Sequence, residues 1–162
     1  MSPHDPDRFD PERDLVLERV VDVPRTLVWQ AWTRPEHVKR WFAPAPWTVT
    51  DCKIDLRPGG VFRTVMRSPE GEEYPGDGCF LEIVENERLV WTDALAPGFR
   101  PSEAPFMTVV VTLADQGAGR TKYSARTMHK SPEERKKHEE MGFVDGWGKC
   151  LDQMLELLKR GL

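Results

Sequence analysis

The stretch MGFVDGWGKCLDQMLELL, residues 141–158, decides how the rest of this 162-residue chain is interpreted. Written as a helix, it places seven apolar side chains on one broad arc: Phe143, Trp147, Cys150, Leu151, Met154, Leu157 and Leu158. Gly142, Gly146 and Gly148 flank that arc, although each glycine costs a helix interior about 1 kcal/mol relative to alanine. A glycine leaves room where the helix backbone approaches a strand, a loop or a ligand. We therefore expect a helix that lies across a sheet, with either close packing or a ligand opening at its glycine edges.

The segments before this helix predict an antiparallel sheet. A first strand over residues 14–22 is followed by two short helices, which begin at Pro24 and Pro35. Beyond them the apolar residues alternate, and turns separate six more strands. These strands are predicted at 47–56, 61–67, 72–85, 88–95, 107–113 and 120–129. Because the connections are short, neighbouring strands should run antiparallel. This order, closed by the long C-terminal helix, is that of an α+β helix-grip fold.

Alternation along two of these strands predicts which side chains face the interior. The inward set is Phe62, Thr64 and Met66 on one strand and Cys79, Leu81 and Ile83 on the next. Arg63 and Arg67 then face outward, whereas an inward Arg63 would favour a ligand that carries a carboxylate. A proline and two glycines within residues 75–78 indicate a bulge or a sharp bend there.

A separate helix is predicted just before residue 141. Ser131 can cap it, Pro132 suits its first position, and Glu134 can complete a capping box. The run 132–140 is polar on every side, so we expect little burial, with a break near Met141 and Gly142.

Composition limits the classes of partner and compartment. A net charge of −4 without a basic cluster argues against nucleic acid or an anionic membrane surface, and the apolar runs are far shorter than a membrane span. We expect a flexible tail over residues 1–11 and one domain over 12–162. The scattered cysteines Cys52, Cys79 and Cys150 favour the reducing cytoplasm. No spacing suggests a metal site, and we expect no cofactor.

Three stretches resemble one family. They are RVVDVPRTLVWQAWTRPEHVKRWFAP (19–44), LRPGGVFRTVMRSPEGEEYPGDGCFLEIVENERLVWTD (56–93) and GFVDGWGKCLDQMLELL (142–158). In this order they resemble the activator-of-heat-shock-protein-90-ATPase homologue family, within the START-like, polyketide-cyclase-like (SRPBCC) superfamily. The resemblance covers about residues 14–160. It implies a sheet that curls around the long helix, as in the birch pollen allergen, with a hydrophobic cavity between them. Eukaryotic namesakes stimulate a chaperone ATPase, whereas small single-domain relatives are mostly taken to bind hydrophobic small molecules.

A set of aromatic, sulfur-containing and histidine side chains is the candidate ligand site. Its members are Trp41, Trp47, Phe62, Met66, Cys79, Trp91, Met107, His129, Phe143 and Trp147. A filled core explains each of them singly, and the cavity is implied for the group only by the resemblance. The leading hypothesis is a protein that binds a hydrophobic or aromatic small molecule between the sheet and the C-terminal helix.

Two other functions remain open. His129 ends a predicted strand and is the candidate catalytic residue of a cyclase or dehydratase, with Asp77 or Asp93 as a second proton carrier. No G-x-S-x-G, P-loop or H-E-x-x-H motif is present, so we expect a ligand-binding protein rather than an enzyme. The other possibility is a chaperone cofactor that acts through its surface. A homodimer is a further option.

Overall fold

The computed structural model describes residues 8–161. In chain order its elements are β1 (Asp14–Val21), α1 (Arg25–Thr33), α2 (Pro35–Trp41), β2 (Thr48–Ile54), β3 (Val61–Arg67), β4 (Glu73–Val84), β5 (Arg88–Thr92), β6 (Leu95–Ala96), β7 (Arg100–Pro101), β8 (Thr108–Gly117), β9 (Arg120–Met128), α3 (Pro132–Glu140) and α4 (Phe143–Arg160). The predicted tail falls mostly on residues 1–7, which lie outside the described residues. Just after them, the amides of Arg13 and Asp14 donate to the Asp10 carbonyl and form a turn.

Seven strands form one antiparallel sheet in the order β1-β9-β8-β5-β4-β3-β2, and β6 and β7 form a separate hairpin. The first strand therefore pairs with the last, at one edge of the sheet. With two short helices after β1 and α4 across the sheet, the predicted α+β helix-grip fold is confirmed. No helix of the described residues has the length and apolar character needed to cross a bilayer.

The two short helices bury tryptophans against the sheet. Pro35 is at the start of α2 as predicted, whereas Pro24 is the cap residue just before α1. Trp32 is 1% exposed and its Nε1 donates to the hydroxyl of Tyr123 on β9 at 3.1 Å. Trp41 donates from Nε1 to the carbonyl of Ala31 at 2.9 Å. Both large side chains thus enter the core with their polar atom paired.

The irregularity in β4 lies later in the strand than predicted. Residues 73–79 pair regularly with β3, whereas the register with β5 shifts between Phe80 and Glu82. The prediction of a bulge within 75–78 is therefore wrong, because glycine and proline there still keep the pairing with β3. Leu81 is the extra residue at the shift.

This register also corrects the predicted orientation of Cys79. Cys79 lies opposite Val61 and Gly78 lies opposite Phe62, so Cys79 is on the face of the sheet that Phe62 does not share. Phe80 joins the core in its place and stacks on Phe62 at a ring distance of 5.3 Å. Cys79 is fully buried, but on the opposite face.

The break between α3 and α4 is at the predicted glycine. Gly142 has φ of 95° and precedes the first residue of α4. Ser131 caps α3 as predicted, since its Oγ accepts from the amide of Glu134 at 3.2 Å. The expectation of little burial in α3 misses His138, which is 7% exposed.

Helix α4 buries the predicted arc, with Trp147 half-buried at its border. Its two glycine edges differ. A Cβ on Gly148 would lie 3.5 Å from Nη2 of Arg19, which is on β1, so this edge is in ordinary contact with a side chain of the sheet. A Cβ on Gly142 or Gly146 would meet no atom within 4 Å. The glycine on one edge therefore faces a side chain of the sheet, and the two on the other edge face open space.

The two open glycines should respond oppositely to alanine. Gly142→Ala should lower the free energy of unfolding by about 1–2 kcal/mol, because alanine is strained at this positive φ. Gly146→Ala should raise it by about 0.5–1 kcal/mol, because the site is inside a helix and the methyl group meets nothing. Urea unfolding followed by circular dichroism measures both. Shifts of the same sign would contradict the assigned backbone conformations.

Candidate functional site

A cavity of about 420 Å³ lies between α4 and strands β3 to β5. Seven of the predicted ligand-site residues line it: Trp41, Phe62, Met66, Trp91, Met107, Phe143 and Trp147. Thr64 adds a hydroxyl group from β3, and the open edge of α4 contributes Gly142 and Gly146. Met141 also lines the cavity and is 67% exposed, so it marks where the cavity meets solvent.

Three predicted site residues lie elsewhere. Trp47 precedes β2 and packs on Tyr74, with ring centres 5.5 Å apart. Cys79 is on the other face of the sheet, as its register requires. His129 is buried beside the cavity wall but is not part of its lining.

Four aromatic side chains of the lining escaped the sequence-based assignment: Trp32, Phe42, Phe106 and His138. Trp32 is on the buried face of α1 and Phe42 follows the last residue of α2, where an apolar helix pattern does not distinguish a filled core from a cavity wall. Phe106 lies in the segment between β7 and β8, where no periodic pattern exists. His138 is hidden in a run of charged residues, and only the docking of α3 reveals its burial.

His129 and His138 form a buried pair behind the wall. The backbone amide and Nδ1 of His129 both lie within hydrogen-bond distance of the Arg13 carbonyl oxygen, at 3.0 and 2.8 Å. Nε2 of His129 is 2.9 Å from Nδ1 of His138. The His138 ring is packed between Phe106 and Phe143, with ring centres 4.8 and 5.2 Å away. His138, and not His129, is therefore the imidazole at the cavity.

The two candidate carboxylates are already engaged. Oδ1 of Asp93 accepts from the amides of Phe106 and Met107 at 2.8 and 3.0 Å. Asp77 binds Nη1 of Arg63 at 2.9 Å. Arg63 and Asp77 are opposite each other in register, and alternation places Arg63 on the face away from Phe62, as predicted. Asp77 and Asp93 are both among the residues that line the cavity.

Three tryptophans line the cavity, Trp32, Trp41 and Trp91, and they differ in whether the indole Nε1 has a hydrogen-bond partner. Nε1 of Trp32 and of Trp41 is hydrogen-bonded, as described above. Trp91 is 6% exposed, lines the cavity, and its Nε1 has no hydrogen-bond partner among the described residues. An unpaired buried N–H group costs about 1–3 kcal/mol, so natural proteins usually pair it.

The cavity contains no activated nucleophile of the cysteine type. Burial raises the pKa of the Cys150 thiol to about 12, and its Sγ lies 3.6 Å from the Phe42 carbonyl oxygen. Such a thiol stays protonated near neutral pH. Within residues 8–161, no group of three or more His, Cys, Asp or Glu side chains is arranged to hold a metal ion.

The buried pair should make stability depend on pH. Desolvation by burial, and secondarily the neighbouring His129, lower the pKa of His138 to about 4, whereas histidine in an unfolded chain titrates near 6.5. Between about pH 6.5 and pH 4, the His138 side chain is therefore protonated in the unfolded chain but not in the native protein. The free energy of unfolding should therefore fall between about pH 6.5 and pH 4, by on the order of 2 kcal/mol from this group.

His138→Phe should remove this contribution while keeping an aromatic ring between its neighbours. Urea unfolding of wild type and variant near neutral pH and near pH 4.5 gives the difference at each pH. The wild-type protein should lose more stability than the variant on acidification. A difference that does not change with pH would contradict the lowered pKa.

Comparison with known proteins gives a consistent picture. A Nitrosomonas europaea protein of known crystal structure shares 50% sequence identity with this chain, and the two structures align with a TM-score of 0.91. The alignment covers 94% of this chain and 97% of that one. A Mycobacterium smegmatis protein is 25% identical, with a TM-score of 0.76 and 91% coverage of both chains. An Arthrobacter aurescens protein, 22% identical with a TM-score of 0.80, covers 95% of this chain and 90% of that one and shares the fold.

No curated protein shows significant similarity to the chain. The family model described as Activator of Hsp90 ATPase homolog 1-like protein matches residues 22–159. Because this match spans most of the sequence, the chain belongs to the family of Activator of Hsp90 ATPase homolog 1-like proteins.

Proposed function

We propose that the protein binds a hydrophobic or aromatic small molecule in the cavity between the sheet and α4. The observation that carries the proposal is the open glycine edge of α4 beside an aromatic-lined space of about 420 Å³. This volume falls within the range of roughly 300–1,000 Å³ that is usual for ligand pockets. The family fits a ligand-binding fold, which supports the same function.

The aromatic lining suits a flat ligand. Phe62 and Trp91 meet edge to face with ring centres 4.8 Å apart, and Trp32 and Trp41 meet similarly at 4.8 Å. Rings in this arrangement present faces and edges on which another ring can pack favourably. Met66 and Met107 add side chains that adapt to irregular shapes.

The other hypotheses stay predictions. A cyclase or dehydratase mechanism through His129 is less well supported, because Asp77 and Asp93 are engaged and His129 is behind His138. A chaperone partner and a homodimer have no specific observation in their favour. We place the proposed binding function in the cytoplasm, since Cys52, Cys79 and Cys150 are free and buried.

Filling the open edge of α4 tests the proposal. Gly146→Leu should weaken binding of the neutral fluorescent probe N-phenyl-1-naphthylamine by on the order of tenfold or more, because the new side chain occupies the cavity. Gly146→Ala is the matched control, since it also replaces glycine but adds only one methyl group. Fluorescence titration measures binding, and urea unfolding checks that both variants fold.

Equal binding by the two variants would locate the probe outside this cavity. Native mass spectrometry of protein purified from its own host provides an independent measurement. A retained hydrophobic compound that is absent from Gly146→Leu supports the proposal. Failure of the wild-type protein to retain such a compound or to bind the probe would overturn it.

A further inference from the structure

Strand β4 extends past the end of its neighbour β5. The pairing of β4 with β5 begins at Cys79, which lies opposite Thr92, the last residue of β5. On its other side, β4 is paired with β3 from Cys79 back to Glu73. Residues 73–78 of β4 therefore have a partner strand on one side only.

The chain that follows β5 does not replace the missing partner. The backbone amide of Ala94 donates to the hydroxyl of Thr92 at 3.0 Å, and the Ala94 carbonyl accepts from the amide of Ser102 at 3.0 Å. In the described part of the chain, the next strand, β6, pairs only with β7. The side of β4 that faces β5 is therefore unpaired before Cys79.

Hydrogen bonds further along β4 show which backbone groups face the unpaired side. The amide of Phe80 donates to the Gly60 carbonyl at 3.0 Å, and the Phe80 carbonyl accepts from the Gly59 amide at 2.7 Å. Both groups of Phe80 therefore point to the β3 side. This direction alternates from residue to residue in an antiparallel pair. Because Asp77 is three positions before Phe80, its N–H and C=O point to the unpaired side.

Two neighbours of Asp77 agree with this direction. Pro75 has no N–H, and alternation places it on the same unpaired side, where a strand tolerates proline. Gly76 consists of backbone atoms only and is exposed. The backbone of β4 is therefore accessible at this point of the strand.

The unpaired side of β4 borders the cavity. Gly76 and Asp77 line the cavity from β4, and Asp93 and Phe106 line it from beyond the end of β5. The carboxylate of Asp77 is bound by Nη1 of Arg63 at 2.9 Å, and Oδ1 of Asp93 accepts from two backbone amides. The N–H and C=O of Asp77 thus remain free in a gap whose wall residues belong to the cavity.

A free N–H and C=O on one residue match a ligand that carries an acceptor next to a donor. Paired antiparallel strands satisfy these two groups with two hydrogen bonds, one in each direction. A lactam or a carboxamide offers the same complement from a single small group, because its C=O and N–H are adjacent. The surrounding aromatic side chains favour a flat ring attached to that group.

We infer that the ligand is a flat aromatic compound with a lactam or carboxamide group, whose oxygen accepts from the Asp77 N–H and whose N–H donates to the Asp77 carbonyl. This inference rests on the proposed function and adds to it the chemical class of the ligand. Because the protein groups belong to the backbone, substitution of the Asp77 side chain by a residue other than proline preserves them.

Proline at position 77 removes the N–H donor. Asp77→Ala is the matched control, because both variants lose the carboxylate that binds Arg63. Asp77→Pro should bind 2-quinolone, a bicyclic aromatic lactam, about tenfold more weakly than Asp77→Ala does. Naphthalene has neither a donor nor an acceptor and should bind equally to the two variants. Displacement of N-phenyl-1-naphthylamine, followed by its fluorescence, measures both affinities.

Coumarin tests the second hydrogen bond from the side of the ligand. It has nearly the shape of 2-quinolone and keeps the carbonyl group, but an oxygen atom replaces the N–H. The wild-type protein should bind coumarin about fivefold to tenfold more weakly than 2-quinolone, because coumarin cannot donate to the Asp77 carbonyl.

The direction of the backbone can be tested without a ligand. Asp77→Pro should unfold at nearly the same urea concentration as Asp77→Ala, because the N–H that it loses has no partner strand. Gly76→Pro should unfold at a clearly lower concentration than Gly76→Ala, because alternation directs the Gly76 N–H to β3. Equal losses at the two positions would overturn the inference.

The binding results separate the inference from the proposed function. Equal binding of 2-quinolone by Asp77→Pro and Asp77→Ala would overturn the inference and leave the proposed function standing. Equal binding of coumarin and 2-quinolone by the wild-type protein would have the same meaning. If the wild-type protein does not bind N-phenyl-1-naphthylamine itself, the proposed function is overturned, and the inference with it.

Discussion

The packing of α4 onto the sheet is the contact on which the other features depend. Leu151 and Met154 are at most 1% exposed and join the same core as Phe80 and Val109 from the middle of the sheet. Burying side chains of this size contributes roughly 1.5–3 kcal/mol each. With the helix held by this arc, the surroundings of its glycines can differ between the two edges.

Polar contacts hold α4 along both of its edges. The side chain of Gln153 donates to the carbonyls of Trp41 and Ala43 and accepts from the amide of Ala45. Arg19 on β1 forms an ion pair with Asp152. The helix is therefore attached both to β1 and to the segment after α2. The cavity lies along a fixed helix, so its size depends mainly on the side chains at its wall.

The sequence was informative where a local pattern has one physical cause. The arc of α4, the cap at Ser131 and the orientation of Phe62, Thr64 and Met66 follow from helical or strand periodicity, and the structure agrees with each. Gly142 was also recognisable, because a polar helix and an apolar helix meet there.

Features that depend on distant contacts were not accessible in this way. Cys79 was placed on the wrong face because the strand pairing that fixes its orientation cannot be read from the strand itself. The burial of His138 depends on how α3 docks, and the charged residues around it conceal this. The unpaired Nε1 of Trp91 is a property of its neighbours, which no pattern along the chain records.

The three buried cysteines lie in three different regions of the molecule, so the rate at which each is chemically labelled reports the local opening of its own region. Cys52 is on edge strand β2, Cys79 is on the outer face of β4, and Cys150 is at the cavity wall. Thiol reagents react with the thiolate, and burial raises the pKa of Cys52 to about 11 and that of Cys150 to about 12. Modification therefore requires local opening of the structure. The labelling rate of Cys52 should report opening of the sheet edge, and that of Cys79 should report exposure of the outer face of β4. The labelling rate of Cys150 should report movement of α4 at the cavity.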